Sequence, residues 1–140
     1  MTARATEITD ALLARLSAVP GFAVSYGPPR GGVQAGYLYL IAESDAQARS
    51  DDARQPNARL RERSYRVEVY LARGARYYAA QDDALRSVCD AMTSRPPARI
   101  LEGLAYSVVI GDATLDDPAL GSDLATLAVP ITVRYAEPIR

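Results

Sequence analysis

Apolar positions recur along this chain at two spacings, and the changes of spacing divide it into elements. Ile8, Leu12, Leu16 and Val19 fall near every fourth residue, with Leu13 at the edge of the stripe, so Thr6 to Ala18 reads as an amphipathic helix. Glu7 and Asp10 lie in its first turns, where carboxylates suit the helix dipole, and "VPG" at 19–21 stops it. The spacing then drops to two. "FAVSY" at 22–26 reads as a short strand, and "GPPRGG" at 27–32 as a turn, because proline and glycine cannot sustain a ladder there. Val33–Ala42 places Tyr37, Tyr39 and Ile41 on one face and Leu38, Leu40 and Ala42 on the other. Both faces are apolar, so each needs cover, from the fold or from another subunit.

Tyr65–Arg73 alternates cleanly, with Tyr65, Val67, Val69 and Leu71 inward and Arg66, Glu68 and Tyr70 outward. A second helix follows at about Ala79–Ser94, its stripe made of Ala84, Leu85, Val88, Cys89 and Met92, and "RPPAR" at 95–99 ends it. Two strands close the chain, "LAYSVVIG" at 104–111 and Ala125–Ala136. The latter puts Leu127, Val129, Ile131, Val133 and Tyr135 on one face. Pro130 falls on the other, which predicts an edge strand or a bulge. The order α-β-β-β-α-β-β predicts an α/β fold of the α+β type. It has a single, mostly antiparallel sheet of about five strands, with two helices packed on one face.

One stretch breaks the pattern. "SDAQARSDDARQPNARLRER", Ser44 to Arg63, is polar throughout and lies between two strands, where a compact domain rarely leaves so many residues without structure. It carries five arginines (Arg49, Arg54, Arg59, Arg61 and Arg63) against four acidic residues, too balanced for strong affinity to DNA. No composition change marks a domain boundary. The reading is a single domain over 1–140 with a long exposed loop at 43–63, poorly ordered in an isolated subunit and ordering against a partner.

Composition narrows the function. The chain has 140 residues, 49% of them hydrophobic, and a net charge of −1, an ordinary globular balance with no field drawing it to nucleic acid or anionic lipid. No apolar run is long enough to span a bilayer, and "MTARATEITD" lacks the apolar core of a signal peptide. The single cysteine, Cys89, cannot form an internal disulfide, which fits a reducing cytoplasm. There is no histidine, and all 16 basic residues are arginine. Ser-His-Asp and Cys-His relays, Schiff-base lysines and the P-loop lysine are therefore ruled out within this chain.

The remaining candidates for chemistry read better as structure. Asp112, Thr114, Asp116 and Asp123 match positions of a calcium loop, but Asp117 stands where that loop needs glycine. Asp82-Asp83 reads as N-terminal helix charge, and the doublets Asp51-Asp52 and Asp116-Asp117 as loop residues. "GPPRGG" lacks the lysine and the following helix of a phosphate loop, and Cys89 sits on an apolar stripe. Strand tyrosines read as core or subunit contact rather than base-stacking platforms, since the basic field is missing. No catalytic, cofactor-binding or metal residue is assigned, and no cofactor is expected.

The assembled pattern resembles the tail-terminator proteins of long-tailed bacteriophages. The matching stretches are the "TEITDALLARLSAVPGF" opening, the long central hairpin, "SYRVEVYLAR" leading into "DDALRSVCDAM", and the closing "DLATLAVPITVRY" strand. The resemblance implies a virion protein of the tail or neck, assembled in the host cytoplasm as a homo-oligomer, a hexameric ring. It implies contact with the tail tube protein and the head-tail connector, with genomic DNA passing through the lumen without specific binding. Candidate contacts are Arg49, Arg54, Arg59, Arg61 and Arg63 of the loop, Tyr37, Tyr39 and Tyr70 of the strands, and Asp116 and Asp117 of the later loop. Two other readings stay open. One is a head-completion or connector protein; the other is a cellular module holding a small ligand between helices and sheet through Tyr37 or Tyr70.

Overall fold

The alternation seen in the last strand continues through a ladder longer than either helix. The computed structural model describes residues 3–32, 34–47, 58–93, 105, 107–116 and 123–138. Their element order is α1 (Arg4–Leu16), β1 (Ala23–Tyr26), β2 (Tyr37–Gln47), β3 (Ala58–Ala72), α2 (Tyr77–Thr93), β4 (Ser107–Ile110), β5 (Thr114–Asp116) and β6 (Leu124–Pro138). The strands form one sheet in the order β1-β2-β3-β6-β4, with β5 also paired to β6. The mostly antiparallel α+β architecture is as the sequence predicts, with one strand more. None of the described helices is long and apolar enough to cross a membrane.

Among the described strands only β1 and β2 run parallel. Four residues of β1 cover about 13 Å, so the segment 27–36 is long enough to return beside it without a crossover helix. Gly27 makes the turn at φ 88°, and its N–H donates to the Leu40 carbonyl at 2.7 Å.

The spine is the β3–β6 ladder, paired without interruption from Ala58↔Pro138 to Ala72↔Leu124. Its strands have 15 residues each and run about 50 Å. The 13 residues of α1 cover only about 20 Å. Along the covered part, Leu38, Leu40, Val67, Val69, Leu127, Val129 and Ile131 pack against Ile8, Leu12 and Leu16 of α1 and Ala84, Val88 and Met92 of α2. Each such side chain contributes about 1.5–3 kcal/mol on burial. Both predicted helical stripes are thus buried, apart from Leu85 and Cys89, which are only partly covered.

Two buried polar side chains fasten the layers, and neither stands out in the sequence. The Gln81 amide donates from Nε2 to the carbonyls of Asp116 at 2.8 Å and Thr126 at 2.9 Å, tying α2 to β5 and β6 together. Arg15 donates to the Met92 carbonyl at 2.7 Å, in the last turn of α2 where carbonyls carry the negative end of the dipole.

The structure corrects four expectations. The polar stretch is not a loop over 43–63: β2 continues to Gln47 and β3 begins at Ala58, with Ser44↔Ser64 and Gln47↔Arg61 in register. The pattern hid this because these residues are mostly polar at both alternating positions. Residues 48–57, with Arg49 and Arg54, lie outside the described residues. Next, β6 is a central strand, not an edge. β5 pairs with Thr126–Ala128 and β4 with Ile131–Arg134, so Pro130 falls in the gap between them. Its carbonyl points to that side and accepts from Gly111 N–H at 2.8 Å; the N–H that proline lacks would point the same way. Thirdly, the loop after β4 contains strand β5, which holds Thr114–Asp116 extended rather than curled around an ion. Finally, α2 begins at Tyr77, so Asp82 and Asp83 are exposed residues beyond its first turn.

Candidate functional site

Toward the Ala58 end of β3, charged side chains join the buried Val133 and Tyr135 on the inner face of the sheet. Arg61 and Arg63 continue the inward alternation of Tyr65, and Arg63 stands opposite Asp45 across the β2–β3 ladder. Asp45 is the hub. Its Oδ1 accepts from Arg61 Nε at 2.5 Å, and its Oδ2 accepts from Arg63 at 3.2 Å and from the Tyr135 hydroxyl at 2.6 Å. Arg63 Nε donates to the Tyr65 hydroxyl at 2.8 Å, and Tyr65 lies 2.7 Å from Thr9 Oγ1. Thr9 spends its one proton on the Ala5 carbonyl at 3.0 Å, so Tyr65 must be the donor to Thr9. A single relay therefore runs from the arm formed by β2, β3 and β6 into α1.

The electrostatics follow from this geometry. Burial alone would raise the Asp45 pKa, but the hydrogen bonds from Tyr135, Arg61 and Arg63 outweigh it and hold the carboxyl below its ordinary range. Burial, with Asp45 as acceptor, pushes the Tyr135 phenol up, and burial raises Tyr65 against the opposing pull of Thr9 and Arg63. The cluster is a fixed ion-pair network whose protonation states do not change near neutral pH. That suits a stiffener rather than an acid-base catalyst.

The outer face of the sheet bears the tyrosines. Tyr37 stacks on Tyr39 at 6.0 Å between ring centroids, and Tyr39 meets Tyr70 edge-on at 5.7 Å. The Tyr70 hydroxyl donates to Glu68 at 2.8 Å, and burial with that acceptor moves its pKa up to about 12. Arg66 lies between Glu68 at 2.8 Å and Glu43 at 2.6 Å. Neither helix packs here, so Tyr37 and Tyr39 remain half-exposed. On the inner side, an open groove of about 370 Å³ runs past Thr9, Asp10, Tyr26 and Arg63.

The sequence-predicted contacts thus separate. Tyr37, Tyr39 and Tyr70 come together on the outer face, while Arg61 and Arg63 turn inward and are engaged by Asp45. Arg59 pairs through its backbone with Glu137 in the spine. Asp116 sits at the opposite end of β6 from the arm, accepting from Thr126 at 3.4 Å, and Asp117 lies outside the described residues. The hub, Asp45, was missed. Its signal was the two-residue spacing of Arg61, Arg63 and Tyr65, which marks one face of a strand. Cys89 is half-buried on α2, where burial and the neighbouring Asp90 push its thiol pKa up.

No family model matches this chain, and no curated protein matches it. Its fold is similar to that of a chain in a solved structure, the virion of a native gene transfer agent particle. The likeness has a TM-score of 0.56 and covers 96% of this chain and 92% of that one, at 15% sequence identity. At that identity it is a likeness of fold, extending over almost the whole of both chains.

Proposed function

We propose that this protein is a structural component of a phage-type virion, and within it a tail terminator. Copies close into a ring that caps the tail tube, stops its polymerisation and presents a second surface to the head connector. The observation that carries the reading is the near full-length fold likeness to a chain of a gene transfer agent virion. A chain without histidine or lysine, whose Asp45 cluster keeps its carboxyl ionised at neutral pH, suits a role performed by shape. The stiff arm and the tyrosine face are the surfaces through which neighbours and the tube would be met. A ring closes by repeating one head-to-tail contact, which needs two different surfaces on each copy.

The test is tube capping. Added to polymerising tail-tube protein of the same particle, this protein should shorten the tubes and be seen at one tube end by negative-stain microscopy. Tubes of unchanged length with bare ends would reject it. A fold likeness to a chain of a whole virion particle fits a head-completion or connector protein equally. Co-purification with tailless capsids instead of tubes would select that alternative.

A further inference from the structure

The two edges of the sheet are open at the same level. β1 ends at Tyr26, opposite Leu40, so among the described residues nothing pairs with Ala42–Gln47 of β2 on that side. At the other edge, nothing among them pairs with the outer side of β4. The registers connect these edges row by row. Val109 pairs with Thr132, Thr132 with Ser64, and Ser64 with Ser44. One row further, Val108 pairs with Val133, Val133 with Arg63, and Arg63 with Asp45. The row of Ser107 ends on Ala46 in the same way, through Arg134 and Glu62.

Direction matches as well as level. β2–β3, β3–β6 and β6–β4 are each antiparallel, so β4 runs opposite to β2. A second copy set beside the first, its β2 against the free side of β4, would therefore add an antiparallel strand at the same height. Natural sheets shield open edges with charge, proline or bulges. β4 has none of these: Ser107-Val108-Val109-Ile110 is uncharged, and Val109 is 57% exposed. The charges on the β2 edge are tied back, Glu43 to Arg66 and Asp45 to Arg61 and Arg63. What that edge presents outward are the small, exposed Ser44 and Ala46.

We infer that the sheet continues from copy to copy, with β4 of one subunit pairing antiparallel with Ser44–Gln47 of the next, the regular part of β2 beyond its register shift between Ala42 and Ser44. This names the head-to-tail contact of the ring proposed above and rests on that reading. The Asp45 cluster then has a role in assembly, since it ties the part of β2 that receives the neighbour to β3 and β6.

Cysteine pairing tests it, in the full chain with Cys89→Ala. Val109→Cys protein is mixed with Ser44→Cys or Ala46→Cys protein under mild oxidation. Within one chain Val109 and Ser44 stand three strand spacings apart, about 14 Å, too far for a disulfide, which needs Cα atoms within about 7 Å. The expected result is a cross-linked dimer containing one of each variant, with Val109→Cys and Ser44→Cys on one chain giving a covalent ladder up to a closed ring. Dimers formed equally well by either variant alone would overturn the head-to-tail pairing. Independently, Val109→Lys should abolish rings in native mass spectrometry while the monomer keeps its melting temperature, and Val109→Thr should keep them. Rings that survive Val109→Lys, with no mixed cross-link, would overturn this interface and leave the ring reading intact. An unsubstituted chain that never forms rings would overturn the ring reading itself.

Discussion

The two halves of the β3–β6 ladder share one backbone geometry but are held by different chemistry. In the proximal half, helices cover the sheet, and fully buried Leu38, Val67, Val69, Leu127 and Val129 provide the adhesion. In the distal half, Asp45, Arg61, Arg63, Tyr135 and Tyr65 add a hydrogen-bonded network to the buried Val133. Val133 and Tyr135 stay fully buried there, so the network adds to apolar burial rather than standing in for it. The cost is a dependence on pH and salt that the core lacks.

Substitutions should separate the halves, and the largest effect is expected in the core. Leu127→Ala removes a fully buried side chain and should cost about 2–5 kcal/mol in urea unfolding, equally at low and high salt. Asp45→Asn leaves two guanidiniums and the Tyr135 hydroxyl without their anion, and should cost about 1–3 kcal/mol. The sign of its pH dependence is fixed. Asp45 has a folded pKa below its unfolded value of about 4, so its contribution is complete above that value and fades as pH falls through the folded one. The gap between native and Asp45→Asn stability should therefore close on acidification from about pH 6 to pH 2. A gap that is constant with pH would mean the carboxylate is not the hub.

Where the halves meet, a Cβ added at Gly111 would lie 2.9 Å from Pro130 Cγ. Gly111→Ala should displace β4 from β6 at about 1–3 kcal/mol, and faster amide exchange confined to β4 would show it. The smallest effect is expected at the end of the relay. Thr9→Val leaves the Tyr65 hydroxyl without its acceptor and should cost about 1 kcal/mol by the same unfolding measurement.

The same division decides what the sequence revealed. Wherever a helix covers the sheet, burial imposes a period on the chain. The stripe Ile8-Leu12-Leu16 and the alternation of Tyr65 to Leu71 were therefore legible as helix and strand. Although Val133 and Tyr135 of the neighbouring β6 are buried, Ser44–Gln47 and Ala58–Arg63 are mostly polar on both faces and carried no such contrast. Their strand character comes from partners distant in sequence, as in the pairing of Arg61 with Tyr135. Pro130 was legible as a break in a ladder, but not that the break lies between two strands sharing one edge of β6. Gln81 and Arg15 were not legible, because each acts on backbone carbonyls that only the packed structure brings near. Of the candidate contacts, alternation put Tyr37 with Tyr39 on one face of β2 and Tyr70 outward on β3, while the β2–β3 register was needed to join them. The inward turn of Arg61 and Arg63 required Asp45 to be placed first.

The account rests on the chain assembling through complementary surfaces into a closed ring, and native mass spectrometry across a concentration series measures this directly. The prediction is one dominant closed species of about six copies, with intermediates vanishing as concentration rises, as a repeated head-to-tail contact requires. A monomer at every concentration, or an isologous dimer that grows no further, would contradict it.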